Sequence, residues 1–124
     1  MKNITFLTFL FVLATISSSA VASDGNCDNN YLTGYGFRSC NNVNITSVLV
    51  HDGGNIKIET SADETQLGCT PDSGKYLTLS GDAEGTKSMY AIVLQAIAMG
   101  KKMSFRIATD APAGCVVQYL ICEN

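Results

Sequence analysis

The sequence predicts a mainly β domain with five short strands and one helix between the third strand and the fourth. Three observations support this prediction. Several short segments alternate apolar and polar residues with the period of two that a half-buried strand requires. Turn sequences rich in glycine separate them, the clearest being Asp52-Gly53-Gly54-Asn55. One longer apolar segment, residues 89–99, has residues at both ends that can cap a helix.

The N-terminal segment has the three parts of an export signal. Lys2 supplies the positive start, residues 4–16 form an apolar run interrupted only by threonines, and residues 20–22 match a small-x-small cleavage site. The run of 13 residues is shorter than the ~20 that a membrane-spanning helix needs, which disfavours a retained anchor. We therefore expect a signal peptide over residues 1–22, cleaved after Ala22, and a secreted or periplasmic protein.

The remaining residues, 23–124, suit a single domain with one core. Small domains bury proportionally less surface and often need covalent links. All five cysteines lie in this part and none forms a CxxC pair, which in an exported protein favours disulfides over a zinc site. A local bridge from Cys27 to Cys40 would close a short loop. No metal ion or cofactor is predicted.

The charge pattern argues against some classes of partner. Without Lys2 the net charge is near −4, and the sequence has neither a basic run nor an internal repeat. An acidic surface of mixed charge does not favour nucleic acid or an anionic membrane as the main partner. No membrane span is predicted.

The first half of the domain holds three strands. Residues 23–42, rich in Asp, Asn, Gly and Ser, predict an irregular arm held by its cysteines. Residues 45–51 and 56–59 predict a hairpin around the glycine-rich turn. A long polar loop that carries Cys69 follows, and residues 76–80 predict the third strand.

The helix is predicted from Thr86 or Ser88, either of which can cap its start, to Gly100, which can end it. Gln95 is the one polar residue among the eleven at positions 89–99. A helix on the surface of a small domain normally has one apolar stripe and one polar face. We therefore expect something other than the chain's own core to cover the second apolar face.

Two strands follow the helix, at residues 103–107 and 115–122. Cys115 and Cys122 are seven positions apart, so on a regular strand they face opposite sides and take different partners. Five strands with one helix between the third and the fourth is the order of a small OB-type Greek-key barrel. The predicted core of this barrel comprises Val48, Val50, Ile58, Leu77, Leu79, Phe105 and Ile107.

Catalysis is not predicted. His51 is the one histidine, lies at a hairpin end, and has no nucleophile or orienting group beside it in a local motif. The acidic loop residues do not have the spacing of a calcium-binding loop. Tyr31, Tyr35 and Phe37 can stack on a sugar or, equally, cover an end of the core. Judged by residue type alone, Glu59 is a solvated strand end.

The helix region resembles the binding subunits of bacterial pentameric toxins, the nearest being those of subtilase cytotoxin and typhoid-like toxins. In those subunits a helix containing tyrosine and alanine ends at a glycine and continues into an Arg-Ile strand. The similar stretch here is residues 88–102 followed by Phe105-Arg106-Ile107. Residues 45–51 with Gly53, and Ile58-Glu59, are similar to the first hairpin of that group.

The resemblance implies a function and the residues for it. In the toxin subunits, sialylated glycans bind near the first strand and the end of the second, and Glu59 matches an acidic contact position. The resemblance therefore implies one weak site per subunit for a cell-surface glycan, formed by Asn44, Glu59, Thr60 and Ser61. It also implies a separate catalytic toxin subunit as a partner. A homo-oligomeric ring is implied as well, with the helices around a central axis, through Met89, Tyr90, Ile92, Val93 and Ile97.

One departure from the toxin subunits bears on the disulfides. Lys57 stands where those subunits carry a cysteine, so Cys69 needs another partner. We expect Cys69–Cys115 in addition to Cys27–Cys40, with Cys122 unpaired, although five cysteines allow other pairings.

Two functions follow from these observations. The first is a secreted, non-enzymatic, glycan-recognising subunit of an exported toxin. The alternative is a stand-alone periplasmic or secreted protein with the same OB-fold, such as an inhibitor or an envelope-associated factor. The apolar helix favours the first, while the analogy of fold alone does not decide between them.

Overall fold

The computed structural model describes residues 25–30, 37–108 and 113–124 of the chain. The predicted signal peptide, residues 1–22, lies outside the described residues, as do Tyr31 and Tyr35. The described part is mainly β, with two antiparallel sheets and one α-helix, which confirms the predicted class. No helix within these three ranges is long and apolar enough to cross a membrane.

Seven strands, one α-helix and one short 3-10 helix are present in the described residues. The strands that precede the α-helix are β1 (Asn26–Asn29), β2 (Arg38–Val43), β3 (Ile45–Val50), β4 (Ile56–Thr60) and β5 (Leu77–Leu79). The 3-10 helix (Glu64–Leu67) lies between β4 and β5. The α-helix α1 (Thr86–Met99) is followed by β6 (Met103–Ile107) and β7 (Val117–Cys122).

The arm predicted as irregular over residues 23–42 contains β1 and β2, so the prediction of five strands is wrong. The two strands pair antiparallel with Cys27 directly opposite Cys40, and a disulfide joins these residues. Their composition concealed them, because Asn and Asp are depleted in strands. On its other side β2 pairs with β6, so tertiary pairing outweighs the weak local preference.

The strands form two sheets, with the orders β1-β2-β6-β7 and β3-β4-β5. The chain passes from the first sheet to the second at Asn44, the one residue between β2 and β3. An isolated parallel bridge between Thr78 and Val116 links β5 to the segment that enters β7. The two sheets therefore lie against each other around a common core.

The core contains most of the residues predicted for it. Buried members of the predicted set are Ile58, Leu77, Leu79, Phe105 and Ile107. Val48 is partly buried against them, whereas Val50 is 55% exposed, so the prediction for Val50 is wrong. Val50 is the last residue of β3, at the hairpin end and away from the centre of the sheet.

The prediction for the C-terminal end of α1 is correct, whereas the prediction for its N-terminal cap is not. Gly85 occupies the N-cap position without a side-chain cap, so the predicted cap at Thr86 or Ser88 is wrong. The Thr86 hydroxyl instead donates a hydrogen bond to the carbonyl of Ser80. Gly100 ends the helix in the left-handed conformation, with φ of 62°, as predicted.

The structure contains the two disulfides that the sequence analysis selected. Cys69–Cys115 joins the loop before β5 to the segment before β7, and Cys122 is a half-buried free thiol in β7. Disulfides of this kind are typical of proteins that fold outside the cytoplasm.

Phe105 provides a test of the core. Phe105→Ala should lower the free energy of unfolding by about 3–5 kcal/mol, because the ring is fully buried and its removal leaves a cavity. Phe37→Ala is the matched control and should change stability by less than about 0.5 kcal/mol, since Phe37 is 54% exposed. Urea unfolding of the two variants measures both values. Equal effects would contradict the described packing.

The Cys69–Cys115 disulfide provides a second test. Replacing both cysteines by serine should cost about 2–5 kcal/mol of stability, as is usual for a native disulfide in a small exported domain. Cys122→Ser is the control and should cost less than about 1 kcal/mol, because it breaks no bridge. Thiol titration of the denatured, unreduced protein should find a single free thiol per chain. A higher thiol count would contradict the pairing.

Candidate functional site

The residues predicted to bind a glycan lie around the end of β4. Asn44 and Ser61 contact each other directly: the Asn44 N–H donates to the Ser61 hydroxyl at 3.1 Å, and the Ser61 N–H donates to the Asn44 carbonyl at 2.9 Å. Glu59 lies opposite Ser47 on the outer face of the three-stranded sheet, with its side chain 28% exposed. The structure therefore brings Asn44 and Ser61 together, with Glu59 two residues before Ser61.

Thr60 does not share that outer face. Its side chain is buried, and its N–H and hydroxyl both donate to Oε1 of Glu64, at 2.6 and 2.8 Å. Alternate residues of a strand face opposite sides, so Thr60 faces inward while Glu59 faces outward. The structure therefore corrects the prediction that Thr60 contacts a glycan. Thr60 binds the buried Glu64 carboxylate instead.

The turn after β4 is held by a second carboxylate. Oδ1 of Asp63 accepts hydrogen bonds from the hydroxyl of Thr65, at 2.5 Å, and from its N–H, at 3.0 Å. These two hydrogen bonds hold the pKa of Asp63 below its ordinary value, and the one from the Thr65 hydroxyl has the larger effect. The chain that leaves β4 is thereby fixed just beyond Ser61.

Glu59 forms an ion pair with Lys75 from the loop before β5. Lys75 Nζ lies 3.4 Å from Oε2 of Glu59 and 4.9 Å from the centre of the Tyr76 ring. A hydrogen bond with the Tyr76 side chain, and then the charge of Glu59, raise the pKa of Lys75 above its ordinary value. The Lys75 ammonium therefore lies beside the Glu59 carboxylate in an ion pair that is partly open to solvent.

Lys57 forms a second ion pair beside the first. Its Nζ lies 3.1 Å from Oδ2 of Asp72 and donates to the hydroxyl of Thr78 at 2.8 Å. Thr78 lies directly opposite Lys57 in the sheet, and Lys57 is two residues before Glu59 on β4. We call the outward side of this sheet the polar face; its residues are Lys57, Glu59, Asp72, Lys75 and Thr78.

The sequence contained only part of the signal for the polar face. The alternation in β4 placed Lys57 and Glu59 on the same side of a strand. Asp72 and Lys75 come from the long loop, whose path depends on the Cys69–Cys115 disulfide and on a short antiparallel bridge between Asp72 and Tyr76. Local pattern does not reveal that path.

The large apolar side chains that α1 exposes lie on the two flanks of its buried stripe, while its outermost side carries Lys87, Ala91, Gln95 and Ala98. These large apolar side chains, between 38% and 58% exposed, are those of Ile92, Leu94, Ile97 and Met99. We call this group the apolar helix surface. Ile92, Val93 and Ile97 were all predicted to lie on an exposed side of the helix. Ile92 and Ile97 are exposed, whereas Val93 is fully buried in the core, so the prediction for Val93 is wrong. Met89 and Tyr90 are partly buried against the core and lie at the border of the surface.

The chain matches no protein-family model, and no curated protein matches its sequence. Within the described ranges, no group of three or more His, Cys, Asp or Glu side chains is arranged to hold a metal ion. The described residues present hydrogen-bonding and charged groups on the polar face and exposed apolar side chains on the helix.

Proposed function

We propose that this chain is an exported, non-enzymatic binding subunit that forms a ring of identical copies and recognises a cell-surface glycan. The observation that carries the proposal is the apolar helix surface. Four large apolar side chains are exposed on α1, on either side of the stripe at Val93 and Ala96 that is packed into the core. Single exposed apolar residues are ordinary, whereas a group of them indicates an interaction surface.

An OB-type Greek-key barrel is part of the proposal. Because Asn44 alone separates β2 from β3, the two can serve as one bent strand shared by both sheets. With β4 and β5 before the helix and β6 and β7 after it, this gives the OB order, and β1 is an addition from the N-terminal arm. The parallel bridge between Thr78 and Val116 supports this arrangement, because it joins the third strand of that order to the fifth.

A closed ring is the assembly that suits the apolar helix surface. Identical subunits that meet through two different surfaces form either a ring or an open fibre, and a ring buries every copy of the contact. The ring would place α1 of each subunit beside its neighbours. By the resemblance to toxin subunits, a separate catalytic toxin subunit would be the partner of the ring.

The glycan site is proposed at Glu59, Ser61 and Asn44, without Thr60. Carboxylate, hydroxyl and amide groups can exchange hydrogen bonds with sugar hydroxyls. The Glu59 carboxylate lies 3.4 Å from the Lys75 ammonium and is 28% exposed, so it can still accept a hydrogen bond from a sugar hydroxyl. A single site of this kind is weak, but several copies on one ring can raise overall binding by about 10²–10⁴-fold.

The mass of the protein in solution tests whether it forms the proposed ring. Native mass spectrometry or light scattering of the protein without residues 1–22 should show an oligomer, and Ile97→Glu should dissociate it, because a buried unpaired charge destabilises the contact. Leu49→Glu is the matched control, since Leu49 is 45% exposed on the sheet and Ile97 is 47% exposed on the helix. A monomer at high concentration would remove the ring and leave the stand-alone exported protein.

The glycan site is tested on the same material. A glycan array should give signal with the oligomer, and Glu59→Ala should abolish it, because the variant removes the central acceptor of the site. Glu84→Ala is the control, since Glu84 is an exposed carboxylate in the turn before α1. An array without signal, or equal signal from Glu59→Ala and the unchanged protein, would contradict the proposed site.

A further inference from the structure

A shallow depression of about 460 Å³, open to solvent, lies on the polar face between the loop before β5 and the segment before β7; we call it the cavity. Lys57 and Asp72 line one side, and Ala113 and Gly114 line the other. Asn44, Glu59 and Ser61 are not among its lining residues, so it is distinct from the glycan site proposed above.

The cavity contains both a donor and an acceptor with unused capacity. An ammonium group has three N–H donors, and Lys57 uses two of them, on Asp72 and Thr78. The Asp72 carboxylate is 44% exposed and accepts from Lys57 through Oδ2, which leaves further acceptor positions. A ligand can therefore accept a hydrogen bond from Lys57 and donate one to Asp72 at the same time.

The charges of the cavity disfavour an anionic ligand. Lys57 is the cation among the described lining residues, and its Nζ is already 3.1 Å from the Asp72 carboxylate. An incoming carboxylate or phosphate would be attracted by Lys57 and repelled by Asp72 from nearly the same distance, so the two energies largely cancel. Two neighbouring neutral hydroxyl groups fit better, because each hydroxyl can both donate and accept.

The walls of the cavity are held in place before any ligand binds. The Gly114 N–H donates to the Thr70 carbonyl at 2.7 Å, and Cys69–Cys115 joins the two segments covalently. On the other wall, Ser73 and Gly74 have positive φ values, 52° and 75°, in the tight turn that presents Asp72. Such preorganisation lowers the cost of binding.

We infer that this cavity is a second binding site, which takes one neutral sugar residue through two adjacent hydroxyls. One hydroxyl accepts from the Lys57 ammonium and its neighbour donates to the Asp72 carboxylate. Thr70 and Ser73 also line the cavity, and each has a hydroxyl group that can both donate and accept. The ligand class follows from the atoms of this cavity and not from the glycan site at Glu59.

The test uses saturation-transfer NMR and titration with methyl glucoside, methyl galactoside and methyl mannoside, with glucuronate as the acidic comparison. At least one neutral glycoside should bind in the millimolar range and bind better than glucuronate. Lys57→Met should weaken binding about tenfold or more, because it removes a charge-assisted hydrogen bond. Ala113→Trp should abolish binding by filling the cavity, while Ala83→Trp, at an exposed position before α1, should leave it unchanged.

The other outcomes would overturn the inference. These are the absence of binding by all three neutral glycosides, stronger binding of glucuronate, or binding that survives Ala113→Trp. Asp72→Asn separates the ligand classes further, since it should weaken the binding of a neutral sugar and strengthen the binding of an acidic sugar such as glucuronate. Because Ala113→Trp keeps the Lys57–Asp72 pair, it remains informative if Lys57→Met does not fold. Glycoside binding that Glu59→Ala retains and Ala113→Trp abolishes belongs to the cavity, and binding that only Glu59→Ala abolishes belongs to the glycan site and would overturn the inference.

Discussion

The Cys69–Cys115 disulfide is the link on which the polar face of the molecule depends. It joins the long loop that supplies Asp72 and Lys75 to the segment that leads into β7. Beside it, the N–H of Thr78 donates to the Cys115 carbonyl at 3.2 Å, which brings the edge of the second sheet to the first. A small domain has little core to hold so long a loop, and a covalent link makes up for that deficit.

The parts of this fold that were predictable are those whose two faces differ in burial. In β4, Ile56 and Ile58 are buried while Lys57 and Glu59 are half-buried on the outside, and this contrast produced the alternation that predicted the strand. β1 and β2 depend instead on the Cys27–Cys40 disulfide and on pairing with β6, neither of which leaves a local pattern. The same limit applies to the ion pair of Lys57 with Asp72, because the two residues meet only through the path of the loop.

The composition of α1 predicted that apolar side chains would be exposed, but it could not predict which ones. A nearly apolar α1 predicted that some of its surface would remain outside the core, and the exposure of Leu94 and Met99 agrees with that expectation. Which residues face outward depends on the rotation of the helix about its axis, and for that reason Val93 was assigned to the wrong side. Function in our account divides accordingly between two surfaces: self-association at α1 and sugar recognition at the polar face with its cavity.

The central claim is that sugars bind to the outer side of the β3-β4-β5 sheet. Mapping backbone amide shifts of the ¹⁵N-labelled protein during titration with sialyllactose, which contains acidic and neutral sugar residues, tests this claim most directly. We expect the shifts to cluster at Asn44, at residues 57–61, at residues 70–78 and at residues 113–114. Shifts confined to the four-stranded sheet or to α1, or no shifts at millimolar sugar, would contradict the account.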